Sequence, residues 1–139
     1  MALASGSRLG PYEILSPLGA GGMREVYRAR DTGLDRMVAV KVLSPGLADN
    51  AEALVRFERE AKAVAALAHT DIVALFDFGR ADGMLYAVTE LLEGETLRAR
   101  LADGGLPARK AIDVATQIAQ GLAAAHDRGI AHRDLKPEN

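Results

Sequence analysis

The 139-residue chain contains no cysteine. A disulfide framework, a cysteine-ligated zinc site and a thiol nucleophile are therefore excluded. Aromatic residues are scarce, three Tyr and three Phe. Neither sign of charge dominates: 17 basic side chains against 19 acidic ones leave a net charge of −2. No broad basic surface for nucleic acid and no polybasic membrane patch is expected. Long apolar runs are also missing. The longest, Ala63–Ala68, falls far short of the ~20 residues of a membrane span. The opening Met-Ala-Leu-Ala-Ser-Gly-Ser lacks the basic and apolar regions of a signal peptide.

What is present is an ordinary globular composition, with 49% hydrophobic and 26% charged residues. Length alone suits one domain on the usual ~100–200 residues. The chain divides into a strand-rich first part and a helix-rich last part. Three strands are predicted at Tyr12–Leu18, Glu25–Ala29 and Met37–Leu43, broken by a Gly cluster and by Asp31-Thr32-Gly33. In the third strand, alternation puts Val38, Val40 and Val42 on one face and Ala39 and Lys41 on the other. A helix is predicted over 50–68, capped by Asp49 or Asn50, with an apolar stripe through Leu54, Phe57, Ala61, Val64 and Ala68. Strands at Ile72–Phe78 and Met84–Leu91 follow, joined by a turn at Asp82-Gly83. A short helix over 95–102 and a longer one from Pro107 to about His126 complete the chain, with Gly129 as a C-terminal cap.

Four features carry chemistry. Gly19-Ala20-Gly21-Gly22-Met23-Arg24 begins like G-x-G-x-x-G. A dinucleotide fold would need a helix after it, but Glu25-Val26-Tyr27 reads as a strand, and no Gly-Lys-Ser/Thr of a P-loop is present. A Gly-rich hairpin that can offer backbone N–H groups to phosphates remains. Lys41 lies inside the apolar Val38-Ala39-Val40-Lys41 strand, where a charge needs a partner. An edge-strand lysine is the plainer explanation; Ala39 on the same face, however, suits a flat base beside phosphates at Lys41. Glu60, on the helix, is placed to pair with Lys41 or simply to be solvated. The fourth feature is His132-Arg133-Asp134-Leu135-Lys136-Pro137-Glu138-Asn139. There Asp134 can take a hydroxyl proton, Lys136 can meet a phosphate and Asn139 offers an oxygen to Mg²⁺.

Taken together, and in this order, these residues resemble the N-terminal part of the kinase domain of a bacterial eukaryotic-type (Hanks-type) serine/threonine protein kinase, from about Leu9 to Asn139. The resemblance implies an α+β, protein-kinase-like fold: a five-stranded antiparallel small lobe with one helix, plus the first helices of the large lobe. It divides the chain into a tail at 1–8, the small lobe at 9–91, and the hinge and start of the large lobe at 92–139. It implies ATP and Mg²⁺ as cofactors. Leu18, Val26 and Ala39 would enclose adenine, and Gly19 and Gly21 would lie over the phosphates. Lys41 would hold the α and β phosphates and pair with Glu60. Thr89 takes the gatekeeper position. Glu90, Leu91 and Leu92 form the hinge, and Glu95 reaches the ribose. Asp134 is the implied catalytic base, with Lys136 beside it, and Asn139 a metal ligand. Val64, Leu75 and His132 take positions in the family's hydrophobic column. Implied partners are proteins phosphorylated on Ser or Thr, with association between kinases a further expectation. The expected location is the cytoplasm, with any membrane anchor lying downstream.

Two departures from the pattern stand out. Arg24 replaces the third glycine, and Arg24→Gly is expected to change ATP affinity less than tenfold, under ~1.4 kcal/mol by titration. No Asp-Phe-Gly follows Asn139, so the 139 residues alone are expected to transfer little or no phosphate. The rival from another class is a non-catalytic nucleotide-binding or regulatory module. The apolar stripe Ala111, Ala115, Ile118, Leu122 and Ala125 is expected to need cover from the rest of a large lobe.

Overall fold

The computed structural model describes the whole chain except Met1, Gly22, Met23 and Ser44, and only the backbone of Gly19, Ala20, Gly21, Arg24, Pro45 and Leu47. Six strands, β1 (Arg8–Leu9), β2 (Tyr12–Gly21), β3 (Arg24–Asp31), β4 (Arg36–Val42), β5 (Leu75–Ala81) and β6 (Met84–Glu90), form one antiparallel sheet in the order β1-β2-β3-β4-β6-β5. Helix α1 (Pro45–Ala48) and helix α2 (Ala51–Ala65) lie between β4 and β5, and α3 (Leu97–Leu101) and α4 (Ala108–His126) follow the sheet. Two compact units result: Met1–Ala66 with Ala74–Leu92, and Leu67–Val73 with Glu93–Asn139.

The sheet has one strand more than the five expected. Arg8 and Leu9 turn at Gly10 (φ 56°) and pair with Glu13 and Tyr12, which buries Leu9 completely. Two residues are too short for an alternation signal, so this strand was not legible. Residues before it are also held. The Leu3 N–H donates to the Tyr27 hydroxyl at 2.9 Å, and the Gly6 N–H to the Ile14 carbonyl at 2.8 Å.

Alternation in β4 behaves as its sequence predicts. Val38, Val40 and Val42 are buried with Leu9, Tyr12, Ile14, Tyr27, Ala29, Tyr86 and Val88 on one face of the sheet. On the opposite face Leu43 and Leu85 pack with Ala48, and Leu54 and Phe57 of α2 lie against them. Phe57 also meets Phe78 edge to face, with ring centroids 6.1 Å apart. Of the two candidate caps it is Asn50 that serves, its Oδ1 accepting from the N–H groups of Glu52 and Ala53 at 3.1 Å each.

β5 starts and ends three residues later than expected. The two-residue turn at Asp82 (φ 51°) and Gly83 (φ 75°) sets Ala81 opposite Met84 and so fixes the register from its closed end. A register shift between Leu75 and Asp77 leaves Phe76 out of the ladder, where the Arg36 guanidinium stacks 3.9 Å from its ring centroid.

In the second unit, α4 begins at Ala108, with Pro107 as the residue just before it, and ends where Gly129 (φ 74°) lets the Ile130 N–H reach the Ala125 carbonyl at 3.0 Å. Gly121 is the buried residue of this helix. A Cβ there would stand 2.9 Å from the Asp71 carbonyl oxygen, so the 69–72 loop can approach only because the side chain is absent.

Candidate nucleotide-binding and catalytic residues

The predicted site residues fall into two groups, one in each unit, and each is best described where it stands. In the first unit, strand register builds a common face. Residues directly opposite in an antiparallel pair project to the same side. Gly19 stands opposite Val26, Val26 opposite Lys41, and Lys41 opposite Ala87. One step along, Ala39 stands opposite Thr89. Val26, Ala39, Lys41 and Thr89 thus share the side away from the valine core, and all four are half-buried.

Ala39 is small enough to leave room above the sheet, and Lys41, two residues on in the interior strand β4, brings a cation to the same face. Leu18, at 50% exposure, lies just before the Gly-rich segment. Gly19 and Gly21 are in β2, opposite Val26 and Arg24; Gly22 and Met23 lie outside the described residues, as does the Arg24 side chain. Glu60 is exposed on α2, next to the buried Ala61.

At the end of β6 the residues expected to form the hinge are held by both backbone and side-chain hydrogen bonds. The Glu90 N–H donates to the Ala74 carbonyl at 3.0 Å, and its Oε1 accepts from the Ala74 N–H at 2.9 Å. The Thr89 hydroxyl donates to the Glu90 carbonyl at 3.2 Å. Glu90 is thus a structural clasp on the start of β5, a role its sequence position did not reveal. Leu91 is half-buried and Leu92 exposed.

In the second unit, the catalytic-loop candidates come together without any regular element. The Asp134 N–H donates to His132 Nδ1 at 3.2 Å, and Lys136 Nζ lies 3.3 Å from Asp134 Oδ2. Asn139 donates from Nδ2 to the Asp134 carbonyl, which leaves its Oδ1 as the outward acceptor. A hard cation takes oxygen ligands, so this carboxamide fits a place in a Mg²⁺ shell. Arg133 sits at φ 65°, a conformation uncommon for a non-glycine residue. The backbone N–H of Glu138 itself, and then Arg98 and Lys136, hold the Glu138 carboxyl below the ordinary carboxylate range. Glu95 is exposed and stands 4.0 Å from Arg100 Nε, so its carboxylate is directed along α3.

The sequence also contains the tripeptide Asp77-Phe78-Gly79, which spells the family's metal-binding motif ahead of the catalytic loop. The structure gives it another use. It lies in β5, where Asp77 Oδ2 accepts a 2.7 Å bond from the Tyr12 hydroxyl and Phe78 packs on Phe57. β5 is one margin of the sheet and Tyr12 lies in β2 near the other, so this bond ties the margins of a curled sheet. Tyr12 also meets Tyr86 edge to face at 5.9 Å. Gly79 stands opposite Tyr86, and a Cβ there would come within 2.5 Å of the Tyr86 hydroxyl oxygen.

Comparison with known proteins identifies the family. The model of the protein kinase domain family matches residues 12–139. The chain is 44% identical over 135 residues to the serine/threonine-protein kinase PknD of Mycobacterium tuberculosis, covering 96% of this chain and 20% of that protein. It is 43% identical over 131 residues to the serine/threonine-protein kinase PrkC of Bacillus subtilis, covering 94% of this chain and again 20% of the relative. Among solved structures, the kinase domain of Mycobacterium tuberculosis PknI (C20A mutant) superposes with a TM-score of 0.91 at 37% identity, covering all of this chain and 57% of that one. The chain therefore spans about a fifth of the length of these curated relatives. With the family model matched over residues 12–139 and relatives at 43–44% identity, this chain belongs to the protein kinase domain family.

Proposed function

We propose that this chain supplies the nucleotide grip and the catalytic loop of an ATP-dependent kinase acting on Ser or Thr of proteins. The observation that carries the reading is the strand register that sets Val26, Ala39, Lys41 and Thr89 on one half-buried face beside the Gly-rich segment. Leu18, Val26 and Ala39 sandwich the base, and the backbone of Glu90–Leu92 meets its edge. Gly19 and Gly21 let the backbone approach the phosphates. Lys41 orients the α and β phosphates, with Glu60 steering its ammonium group. Glu95 meets the ribose. In the second unit, Asp134 accepts the proton of the substrate hydroxyl, Lys136 faces the transferred phosphate, and Asn139 Oδ1 is the residue that would hold Mg²⁺. That cation, when bound, supplies charge neutralisation for the phosphoryl group in transfer. The chain's own contribution is positioning and electrostatic stabilisation.

A second reading, a non-catalytic nucleotide-binding module, draws on one observation. The carboxylate of the tripeptide Asp77-Phe78-Gly79 is engaged by Tyr12 in the sheet.

The test is an ATP titration together with a radiolabelled transfer assay on a Ser/Thr protein substrate. The expected result is Mg²⁺-dependent ATP binding that Lys41→Ala weakens at least about tenfold, or ~1.4 kcal/mol, with transfer by the 139 residues at background. Robust transfer would overturn the claim that these residues are inactive alone. A wild-type chain that binds no ATP would overturn the nucleotide-grip reading.

A further inference from the structure

The catalytic-loop segment 131–139 contains no helix or strand, and apart from half-buried Pro137 its residues are exposed. No core holds it, so its shape depends on hydrogen bonds. Several are internal: Asp134 N–H to His132 Nδ1, Asn139 Nδ2 to the Asp134 carbonyl, and Asn139 N–H to the Lys136 carbonyl at 3.0 Å. Others come from one residue of α3. The Arg98 N–H donates to the Pro137 carbonyl at 2.9 Å. Its guanidinium donates to Glu138 Oε1 from both Nε, at 2.9 Å, and Nη2, at 2.8 Å.

We infer that Arg98 is a positioning residue: by gripping Pro137 and Glu138 it holds the 136–139 turn in the shape that directs Asn139. An exposed ion pair alone contributes little. Here one residue makes a backbone bond and two charge-assisted bonds to consecutive loop residues, which restricts direction as well as distance. Its platform is itself fixed, because α3 is capped by Thr96, whose Oγ1 accepts from the Ala99 N–H at 3.1 Å. The chain thereby links the segment just after the hinge to the residue proposed to meet the metal. The significance of Asn139 rests on the proposed function; the clamp itself does not.

A double-mutant cycle on the 139-residue chain tests this, with two readouts. ¹⁵N relaxation reports the backbone order of Asp134, Leu135, Lys136, Glu138 and Asn139, and titration compares ATP binding with and without Mg²⁺. Arg98→Ala and Glu138→Ala are each expected to lower the order parameters from about 0.85 to below about 0.6. The double variant should fall no further than either single one, and the thermal midpoint should hardly move. Arg98→Ala should weaken Mg²⁺·ATP by at least about threefold while leaving metal-free ATP unchanged, as expected if the effect passes through Asn139. The exchanged pair Arg98→Glu with Glu138→Arg should recover the order. Unchanged order in Arg98→Ala, or losses that simply add in the double variant, would overturn the inference. If the wild-type chain binds no ATP, the proposed function fails, and the relaxation data still decide the role of Arg98.

Discussion

In the strand-rich unit the apolar residues close on one another. Leu9, Ile14, Val38, Val40 and Val88 are essentially inaccessible to solvent, and they come from four different strands. In the helical unit the apolar residues of α3 and α4 line an open groove instead. Leu97, Leu101 and Leu106 face Ala111, Ala115 and Ile118 across it, and Ile112 remains 66% exposed. Geometry contributes to the difference. A sheet that curls until Tyr12 reaches Asp77 encloses its own core, whereas two helices cannot enclose a core between themselves. The residues proposed to face the nucleotide thus stand on a scaffold with an internal core, and the proposed catalytic loop stands on one whose apolar surface is largely open.

The largest effect that could break this contrast is a cavity. Ile14→Ala should cost about 2–5 kcal/mol in urea denaturation, because Ile14 is 1% exposed. Ile118→Ala, at 37% exposure, should cost under about 1 kcal/mol. Equal losses would show that the two units are packed alike.

A smaller effect comes from overfilling the closed core. Gly79→Ala places a Cβ against the Tyr86 hydroxyl and should cost about 1–3 kcal/mol. Tyr86→Phe should recover only part of it, since the ring carbon Cζ also lies 2.7 Å from that Cβ. Full recovery in the double variant would mean that the hydroxyl alone sets the limit.

Smaller still is the Tyr12–Asp77 bond. Tyr12→Phe should cost about 1 kcal/mol near neutral pH, because Asp77 is exposed and regains water. Burial, and then the bond to Asp77, push the Tyr12 hydroxyl well above the ordinary tyrosine value. A group whose folded pKa is raised contributes stability that is complete below its unfolded pKa and lost as pH rises through the folded value. Thermal midpoints of the wild type should therefore fall as pH rises above about 10. Tyr12→Phe should flatten that fall in part, since Tyr27 and Tyr86 are raised as well, chiefly by burial. An unchanged alkaline profile in Tyr12→Phe would count against the bond.

How much of this was legible from sequence differs by element. The alternation of Val38, Val40 and Val42 predicts the buried face of β4 because a period of two residues is a local property. The α2 stripe and the Gly129 cap are local in the same sense. β1 escaped because it is two residues long, and the ends of β5 shifted because the Asp82-Gly83 turn, not the apolar run from Ile72, sets its pairing. Among the site residues, Lys41 and Ala39 could be assigned to one face from β4 alone. The joining of that face to Val26 and Thr89 required the register of three strands.

By itself, then, the sequence determined the family and most of the element order, and it supplied the candidates for chemistry, since each rests on short motifs and local periodicities. Tertiary structure alone decided what distant residues do to one another. Asp77-Phe78-Gly79 has the letters of a metal-binding motif, yet a hydrogen bond to a tyrosine 65 positions away makes it a fastening of the sheet. Arg98 was one helix arginine among several until the chain brought it against Glu138, 40 positions on. Such pairings depend on how the backbone closes in space, and no local pattern of side chains encodes that closure.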